Sequence, residues 1–268
     1  MIVVKAFAIF LIAYVFLCLY LYIFQEKQIF FPPAKSDAFE QIPLQNRITL
    51  QINDLDLTGI YSGELDDTKP LIVYFGGNAE DVYYNYLDFK NELNAQFVAF
   101  NYRGFAGNEG EPTIAAILLD TNALLTKLIN DYSLDPSNIF LMGRSLGAGI
   151  AVQLSKEKEY AGVVLISPFD SLVNIAKRYF KWFPVSILLK HPMDSLEIAK
   201  QSSKPVLILA AENDQIIPVS HSQALFDVWS SENKKINIVN NTNHNNIHIG
   251  KNYFILVNDF INNIKRIN

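Results

Sequence analysis

Residues 143–147 hold the grouping in this chain that is best suited to chemistry. They read Gly-Arg-Ser-Leu-Gly, a G-x-S-x-G pattern in which the serine hydroxyl can act as a nucleophile. An apolar run typical of a buried strand, 138–142, precedes it, and a run of small apolar residues, 148–152, follows it. Strand, sharp turn and helix would expose the hydroxyl at the tip of the turn. We therefore predict that Ser145 is a nucleophile; the alternative is a serine in an inactive glycine-rich turn.

A serine hydroxyl needs a base to take its proton and an acid to orient that base. In this arrangement the acid and then a histidine follow the serine, on loops after later strands. The predicted acid is Asp214, just after the apolar run 206–211, and the alternative is Asp170, after an earlier strand. Either aspartate could instead cap a helix. His244 is the predicted base because it lies nearer the end of the last strand than His248, which stays open as the alternative.

The negative charge that develops during acyl transfer needs two backbone N–H donors. We predict Leu146, directly after the nucleophile, and Asn78, in the glycine-containing loop 76–79 that follows an apolar run. A plain turn is the alternative for that loop. Of the other histidines, His221 opens a helix and is expected to pack or cap it, and His191 lies in an insertion.

Composition excludes several other classes of function. A net charge of -5 and a pI near 5.4 argue against nucleic acid, which favours a basic surface. No segment resembles a phosphate-binding loop or a metal cluster, so no cofactor and no metal are expected. The single cysteine, Cys18, lies in the apolar N-terminus, so the rest of the chain needs no disulfide.

The N-terminus predicts a membrane anchor. Residues 6–24 carry no charge and as a helix would extend about 28 Å, close to the thickness of a bilayer core. A cleaved signal peptide, a lipoprotein signal, a core helix and two short apolar elements fit this segment less well. Lys5 before the segment and Lys27 and Lys35 after it do not determine which side of the membrane the rest of the chain occupies.

The remaining pattern predicts an α/β fold. Residues 48–60 suggest an antiparallel opening pair with a turn at Asn53-Asp54, after which apolar runs alternate with helical patterns. Strands buried on both faces with helices between them form a mostly parallel, doubly wound sheet. The predicted strands are 71–75, 97–100, 139–142, 163–166, 206–210 and 236–239, and the predicted helices lie near 81–93, 113–131, 146–158, 218–230 and 251–265.

Together these motifs resemble the α/β-hydrolase superfamily, specifically its membrane-anchored Bem-type abhydrolase serine hydrolases. The resemblance covers nearly the whole chain. It implies a transmembrane anchor at 1–24, a proline-containing neck at 25–46, and an α/β-hydrolase catalytic domain at 47–268 with a small helical cap at 171–193. The matching segments are 28–32, 75–79, 101–110, 143–147, 167–172, 183–186, 194–196, 212–214, 217–218 and 244–245.

Two positions depart from the family pattern. The family usually has His-Gly-Asn in the oxyanion loop, where this chain has Gly76-Gly77-Asn78, so a supporting side chain is missing. The family usually has a glycine before the catalytic histidine, where this chain has Asn243. Asparagine tolerates left-handed backbone better than most residues, so we expect this second change to be mild.

The resemblance implies a membrane-tethered serine hydrolase that cleaves carboxylic esters or thioesters. Its expected partners are the bilayer and a small acyl or lipid-like substrate or an acylated protein. The apolar insertion 171–193 would receive an acyl chain or simply pack on the sheet. Two other functions remain open: a serine exopeptidase, which usually needs an acidic pair for the substrate amine, and a non-catalytic membrane-bound binding protein.

Overall fold

Eight strands form one sheet at the centre of the computed structural model, which describes residues 1–52 and 55–265. They are β1 (Arg47–Ile52), β2 (Leu55–Tyr61), β3 (Leu71–Phe75), β4 (Gln96–Phe100), β5 (Ile139–Arg144), β6 (Gly162–Ile166), β7 (Val206–Ala211) and β8 (Lys234–Val239). Their spatial order is β1-β2-β4-β3-β5-β6-β7-β8. Strands β3 to β8 are parallel, and β2 pairs antiparallel with both β1 and β4.

Ten α-helices surround the sheet or extend from it among the described residues. They are α1 (Ile2–Ile29), α2 (Ala38–Gln41), α3 (Tyr86–Glu92), α4 (Ile114–Tyr132), α5 (Leu146–Leu154), α6 (Leu172–Tyr179), α7 (Val185–Leu188), α8 (Ser195–Ala199), α9 (Val219–Val228) and α10 (Tyr253–Lys265). Short 3₁₀ helices cover Leu44–Asn46, Val82–Asn85, Pro136–Asn138 and Ile247–Ile249.

The central strands are apolar along their whole length because both faces of the sheet are covered. In β3, Leu71, Val73 and Phe75 belong to the core cluster that includes residues of α4 and α5. Ile72 and Tyr74 belong to the cluster on the other face, with residues of α3 and α10. This double burial explains the continuous apolar runs in the sequence.

The predicted fold class is confirmed. Each predicted strand corresponds to an observed one, and β1 and β2 form the predicted antiparallel opening pair. The turn predicted at Asn53-Asp54 lies outside the described residues. The helix predicted over 146–158 ends earlier, at Leu154. Ser155 follows it, and its hydroxyl donates to the Val152 carbonyl oxygen, a local bond that is typical of a helix end.

The N-terminal helix is longer than the predicted anchor. Helix α1 continues to Ile29, with non-helical backbone angles at Phe24, the last residue of the predicted span. Extended chain begins only at Phe30. Among the described residues, α1 is the one helix long and apolar enough to cross a membrane, with a mean hydropathy of 2.7 over its most apolar window and none of that window buried.

The insertion 171–193 protrudes from the sheet as two short helices, α6 and α7. Ser171 and Asp194 form an isolated antiparallel bridge at its base, so the chain leaves and re-enters the domain at one point. Gln25 of α1 is buried against this insertion: its side chain donates to the Leu188 carbonyl oxygen and accepts from the Lys190 N–H. The helical cap therefore packs on the N-terminal helix as well as on the domain.

Candidate active site

Ser145 stands in a strained turn between β5 and α5. Its φ of 53° lies in the left-handed region that non-glycine residues rarely adopt. A Cβ on Gly147 would lie 2.0 Å from the Phe75 carbonyl oxygen, and one on Gly143 would lie 2.1 Å from the Gly147 carbonyl oxygen. Because the obstructing atoms are backbone, only glycine fits at these two positions. The turn predicted from the pentapeptide is therefore present, with the serine at its tip.

The side chains predicted as nucleophile, base and acid come from distant parts of the sequence and meet at this turn. His244, which follows β8, has its Nε2 3.0 Å from Ser145 Oγ. Its Nδ1 lies 2.7 Å from Asp214 Oδ2, on the loop after β7. Asp214 and His244 are both buried. The arrangement can move a proton from hydroxyl to imidazole while a carboxylate orients the ring.

The surroundings of Asp214 keep its carboxyl ionised. Burial raises its pKa. This effect is outweighed by the hydrogen bonds from His244 and the Ile217 N–H and by the charge on His244, so the pKa lies below its ordinary value. Oδ1 accepts from the N–H groups of Ile216 and Ile217, at 3.0 and 2.7 Å. The second oxygen is left to face His244.

The other candidate acid and histidines lie apart from Ser145. Asp170 forms its own pair, 2.9 Å from Nδ1 of His221, and also accepts from Asn174 and the Ser171 N–H. His248 is exposed on the 3₁₀ helix Ile247–Ile249. The structure thus brings His244, and neither His248 nor His221, within hydrogen-bonding distance of the serine. His191 lies partly buried in the cap.

The two amides predicted as oxyanion donors belong to neighbouring segments. Leu146 opens α5, and Asn78 lies in the loop after β3, which packs against the serine turn through Gly76 and Gly147. Within residues 1–52 and 55–265, neither amide N–H donates to a protein acceptor.

The side chain of Asn78 has a contact that the sequence did not reveal. Its Nδ2 donates to the Ile29 carbonyl oxygen at 2.6 Å, and its Oδ1 accepts from the Phe31 N–H at 3.0 Å. These two backbone groups flank the end of α1. The loop is therefore fastened directly to the last turn of the N-terminal helix.

The missing family histidine is replaced by other support for the loop. The buried Tyr102 hydroxyl donates to the Gly76 carbonyl oxygen at 2.8 Å, and Glu80 Oε2 accepts from the Gly77 N–H at 2.7 Å. At the second position that departs from the family pattern, Asn243, the backbone is not left-handed. The residue of this segment with a positive φ is Asn241, at 58°. The expected tolerance of asparagine for left-handed backbone is therefore not used at position 243. Asn243 makes turn hydrogen bonds instead, accepting from the Asn245 N–H and donating its own N–H to Asn246.

Glu80 and Arg144 form an ion pair that sequence reasoning missed. Glu80 Oε2, which also holds Gly77, lies 2.9 Å from Arg144 Nη1. Arg144 Nη2 donates to the backbone carbonyl oxygen of His244 at 2.9 Å. One pair thus connects the oxyanion loop, the residue before the nucleophile and the histidine loop. The sequence feature that could have indicated this pair is Arg144, a charged residue directly at the end of a buried strand.

Glu80 is ionised despite its burial. Burial raises its pKa, but the charge of Arg144 and hydrogen bonds from Asn85, the Gly77 N–H and Tyr74 outweigh burial and leave the pKa below its ordinary value. Its other oxygen, Oε1, accepts from the Tyr74 hydroxyl and the Asn85 amide, each at 2.7 Å.

Across the described ranges, no group of three or more His, Cys, Asp or Glu side chains is arranged to hold a metal.

Comparisons with known proteins find relatives along most of the chain. A family model described as Serine aminopeptidase, S33 matches residues 67–190. An uncharacterized protein of Mycobacterium tuberculosis is 30% identical over 227 residues, which cover 82% of this chain and 80% of that protein. The protein bem46 of Schizosaccharomyces pombe is 26% identical over 239 residues, covering 86% of this chain and 79% of that protein.

A solved structure shares the fold. The Pyrococcus furiosus esterase Pf2001 superposes with a TM-score of 0.66 and 18% sequence identity. The match covers 87% of this chain and 97% of that one. At this identity the likeness concerns the architecture alone.

The Glu80–Arg144 pair gives a testable prediction. Replacing Glu80 by Gln leaves the Arg144 guanidinium without its charged partner, which costs about 3 kcal/mol of unfolding free energy near neutral pH. Because the folded-state pKa of Glu80 is lowered, its stabilising contribution is present above the unfolded-state value of about 4.3 and disappears as the pH falls through the folded-state value. The difference in unfolding free energy between Glu80→Gln and the parent chain, measured with urea, should therefore shrink below about pH 4.

Asp120→Asn is the matched control, because it breaks the paired Arg103–Asp120 contacts, both 2.6 Å, outside the serine–histidine–aspartate group. Both variants should be destabilised, but only Glu80→Gln should lower kcat for hydrolysis by the folded chain. Equal kcat values in the two variants would show that the pair has a purely structural role.

Proposed function

The chain belongs to the α/β-hydrolase superfamily as a Bem-type member, and on that premise we propose that it is a membrane-anchored serine hydrolase of carboxylic esters or thioesters. The observation that carries the proposal is the continuous contact from Ser145 Oγ to His244 Nε2, at 3.0 Å, and from His244 Nδ1 to Asp214 Oδ2, at 2.7 Å. Contacts of this length meet the requirement for an activated nucleophile.

In the first half of the reaction the enzyme is acylated. Ser145 Oγ attacks the carbonyl carbon of the substrate while His244 Nε2 takes the hydroxyl proton. Asp214 stabilises the resulting imidazolium, and the amides of Leu146 and Asn78 bind the oxyanion. The intermediate collapses, the bond to the alcohol or thiol breaks, and His244 returns the proton to the leaving group.

In the second half water releases the acyl group. His244 removes a proton from a water molecule, whose oxygen attacks the carbonyl carbon of the acyl-enzyme. The same two amides bind the second oxyanion. Its collapse breaks the bond to Ser145 Oγ, which regains a proton from His244, and a carboxylic acid leaves.

An apolar cleft between α1 and the cap supports an acyl substrate. Its volume is about 80 Å³, and it is lined mainly by apolar side chains. One lining residue is Ile29, whose carbonyl oxygen accepts from Asn78 in the oxyanion loop. An acyl chain in this cleft would therefore extend from the neighbourhood of the proposed oxyanion site toward the apolar helix. The lining residues are Leu21, Gln25, Gln28, Ile29, Ala176, Phe180, Phe183, Val185, Leu188 and Leu189.

An exopeptidase is the second candidate, because the matching family model is described as a serine aminopeptidase. Such an enzyme needs acidic groups to bind the free amine of a peptide. The cap, residues 171–193, contains no aspartate or glutamate and carries Lys177, Arg178, Lys181 and Lys190. The cap therefore offers no carboxylate that could bind an amine, and this observation favours the ester substrate.

The apolar helix α1 is the basis for the proposed attachment to a membrane. The twelve Phe, Leu, Ile and Val side chains of residues 6–24 together favour insertion by roughly 5 kcal/mol. Side chains such as Leu11 and Phe16, half or more exposed, have no extensive contact with the rest of the protein. Such a surface requires lipid around it.

Serine and histidine variants test the proposed chemistry. A fluorophosphonate probe should label the parent chain and leave Ser145→Ala unlabelled, because the probe reacts with an activated serine. His244→Ala should reduce ester turnover by about 10⁴. His221→Ala is the matched control, since His221 also pairs with an aspartate but lies away from the serine. Labelling of Ser145→Ala, or a comparable loss in His248→Ala with His244→Ala active, would contradict the assignment.

A substrate series tests the reaction class. With p-nitrophenyl esters of increasing acyl length, kcat/KM should rise with chain length to an optimum, because longer chains bury more apolar surface in the cleft. Aminoacyl p-nitroanilides should be hydrolysed far more slowly. Turnover of the anilides alone would indicate the exopeptidase, and turnover of neither series would indicate a binding protein.

A charge-insertion experiment tests the anchor. Each arginine near the middle of a membrane helix costs about 2.5–3.5 kcal/mol, so Leu11→Arg with Phe16→Arg should cancel the insertion energy. The double variant should be extracted from membranes by alkaline carbonate, whereas the parent chain and the control Leu11→Ala with Phe16→Ala should remain. Extraction of the parent chain would contradict membrane attachment.

A further inference from the structure

The outer surface of the cap is unusually apolar for a surface exposed to water. Three large side chains on it are exposed: Trp182 by 87%, Ile187 by 81% and Tyr179 by 61%. They lie close together in sequence, on and between α6 and α7, and no described residue covers them. A patch of this kind marks a surface that binds another apolar phase.

Cations flank this patch. Lys177, Arg178, Lys181 and Lys190 are exposed, and none of them forms an ion pair with an acidic side chain among residues 1–52 and 55–265. The cap therefore carries four positive charges and no negative one, on a chain whose net charge is -5. Aromatic and aliphatic side chains bordered by lysine and arginine are typical of segments that lie in the surface of an anionic bilayer.

The cap also contacts α1 far along its length. The Tyr14 hydroxyl donates to the Trp182 carbonyl oxygen at 2.8 Å, and the Tyr14 and Phe183 rings stack with centroids 5.8 Å apart. Gln25 is bonded to the cap at the other end of the contact. Tyr14 and Gln25 are separated by eleven helical steps, which correspond to about 16 Å of helix. The cap thus runs beside the half of α1 nearer the domain.

This contact leaves too little free helix to cross a bilayer. Residues 2–13 of α1, which precede the contact, extend about 18 Å, whereas the hydrocarbon core is about 30 Å thick. If α1 spans the membrane, roughly 12 Å of that core must surround the part of the helix on which the cap packs. Segments that lie in a membrane surface reach a similar depth, about 5–10 Å.

We propose that the cap, residues 171–193, is itself a membrane-docking surface that inserts into the anionic leaflet next to the domain. Trp182, Ile187 and Tyr179 enter the edge of the hydrocarbon. Lys177 and Lys181 reach the phosphate groups, with their aliphatic stems along the apolar surface. Arg178, which donates to the Ile216 carbonyl oxygen, and Lys190, which lies over the Tyr22 ring, add positive charge beside them. The proposal rests on the membrane attachment proposed above. It places the apolar cleft between α1 and the cap at the level of the acyl chains, so that a lipid substrate can enter it sideways.

The two tryptophans allow a direct test in the full chain. Trp182 is exposed, whereas Trp229 is 1% exposed and its indole N–H donates to the Lys204 carbonyl oxygen. The chain is reconstituted in vesicles of about three parts phosphatidylcholine, brominated along the acyl chain, to one part phosphatidylglycerol. Subtracting the emission of Trp182→Phe, which retains only Trp229, isolates the signal of Trp182.

The expected result is that brominated lipid quenches more than about half of the Trp182 signal, while aqueous acrylamide quenches little of it. Quenching by acrylamide alone would place the cap in water and overturn the proposal. Protection from both quenchers would mean that protein covers the patch, either a second copy or a partner, and would also overturn it. Flotation of the chain with the vesicles reports attachment through α1 separately, so failure of the anchor is distinguishable from failure of the cap.

Charge reversal tests the cations. Lys177→Glu with Lys181→Glu should reduce the quenching by brominated lipid, because the cap then faces repulsion from phosphatidylglycerol. Lys156→Glu with Lys158→Glu, beyond the carboxyl end of α5, is the matched control and should leave the quenching unchanged. Equal quenching in both double variants would contradict the role given to the cations.

Discussion

The close approach of backbone to backbone at the serine turn is the constraint on which the site depends. The start of α5 packs on the carbonyl groups that end β3, with no room for a side chain at Gly147. This contact fixes the serine and brings the Asn78 and Leu146 amides onto neighbouring segments. The Glu80–Arg144 pair then attaches the histidine loop to the same two segments, so one ion pair connects three loops that differ widely in sequence position.

Much of this arrangement could be predicted because it follows from short segments with strong patterns. Strands buried on both faces read as continuous apolar runs, and parallel strands bring the residues that follow them to the same edge of the sheet. Ser145 directly follows β5, and Asp214 and His244 lie on the loops after β7 and β8, which is why their meeting could be anticipated without coordinates. The fold class was predictable for the same reason.

The remaining features depend on contacts between segments that have no shared local pattern. Nothing near Glu80 indicates Arg144 as its partner, and nothing near Asn78 indicates the end of α1. Helix α1 continues to Ile29 with Gln25 packed against the cap, a contact that a window of apolar residues does not register. In the histidine loop the left-handed residue is Asn241, while Asn243 makes turn hydrogen bonds.

The two hydrogen bonds of the Asn78 side chain make the end of α1 part of the scaffold of the candidate site. A soluble fragment that starts at the sheet would lack both backbone partners and leave this loop untethered. The proposed anchor and the proposed catalytic residues are thus joined through one asparagine, and they belong together as a single folded object when the protein is purified and assayed.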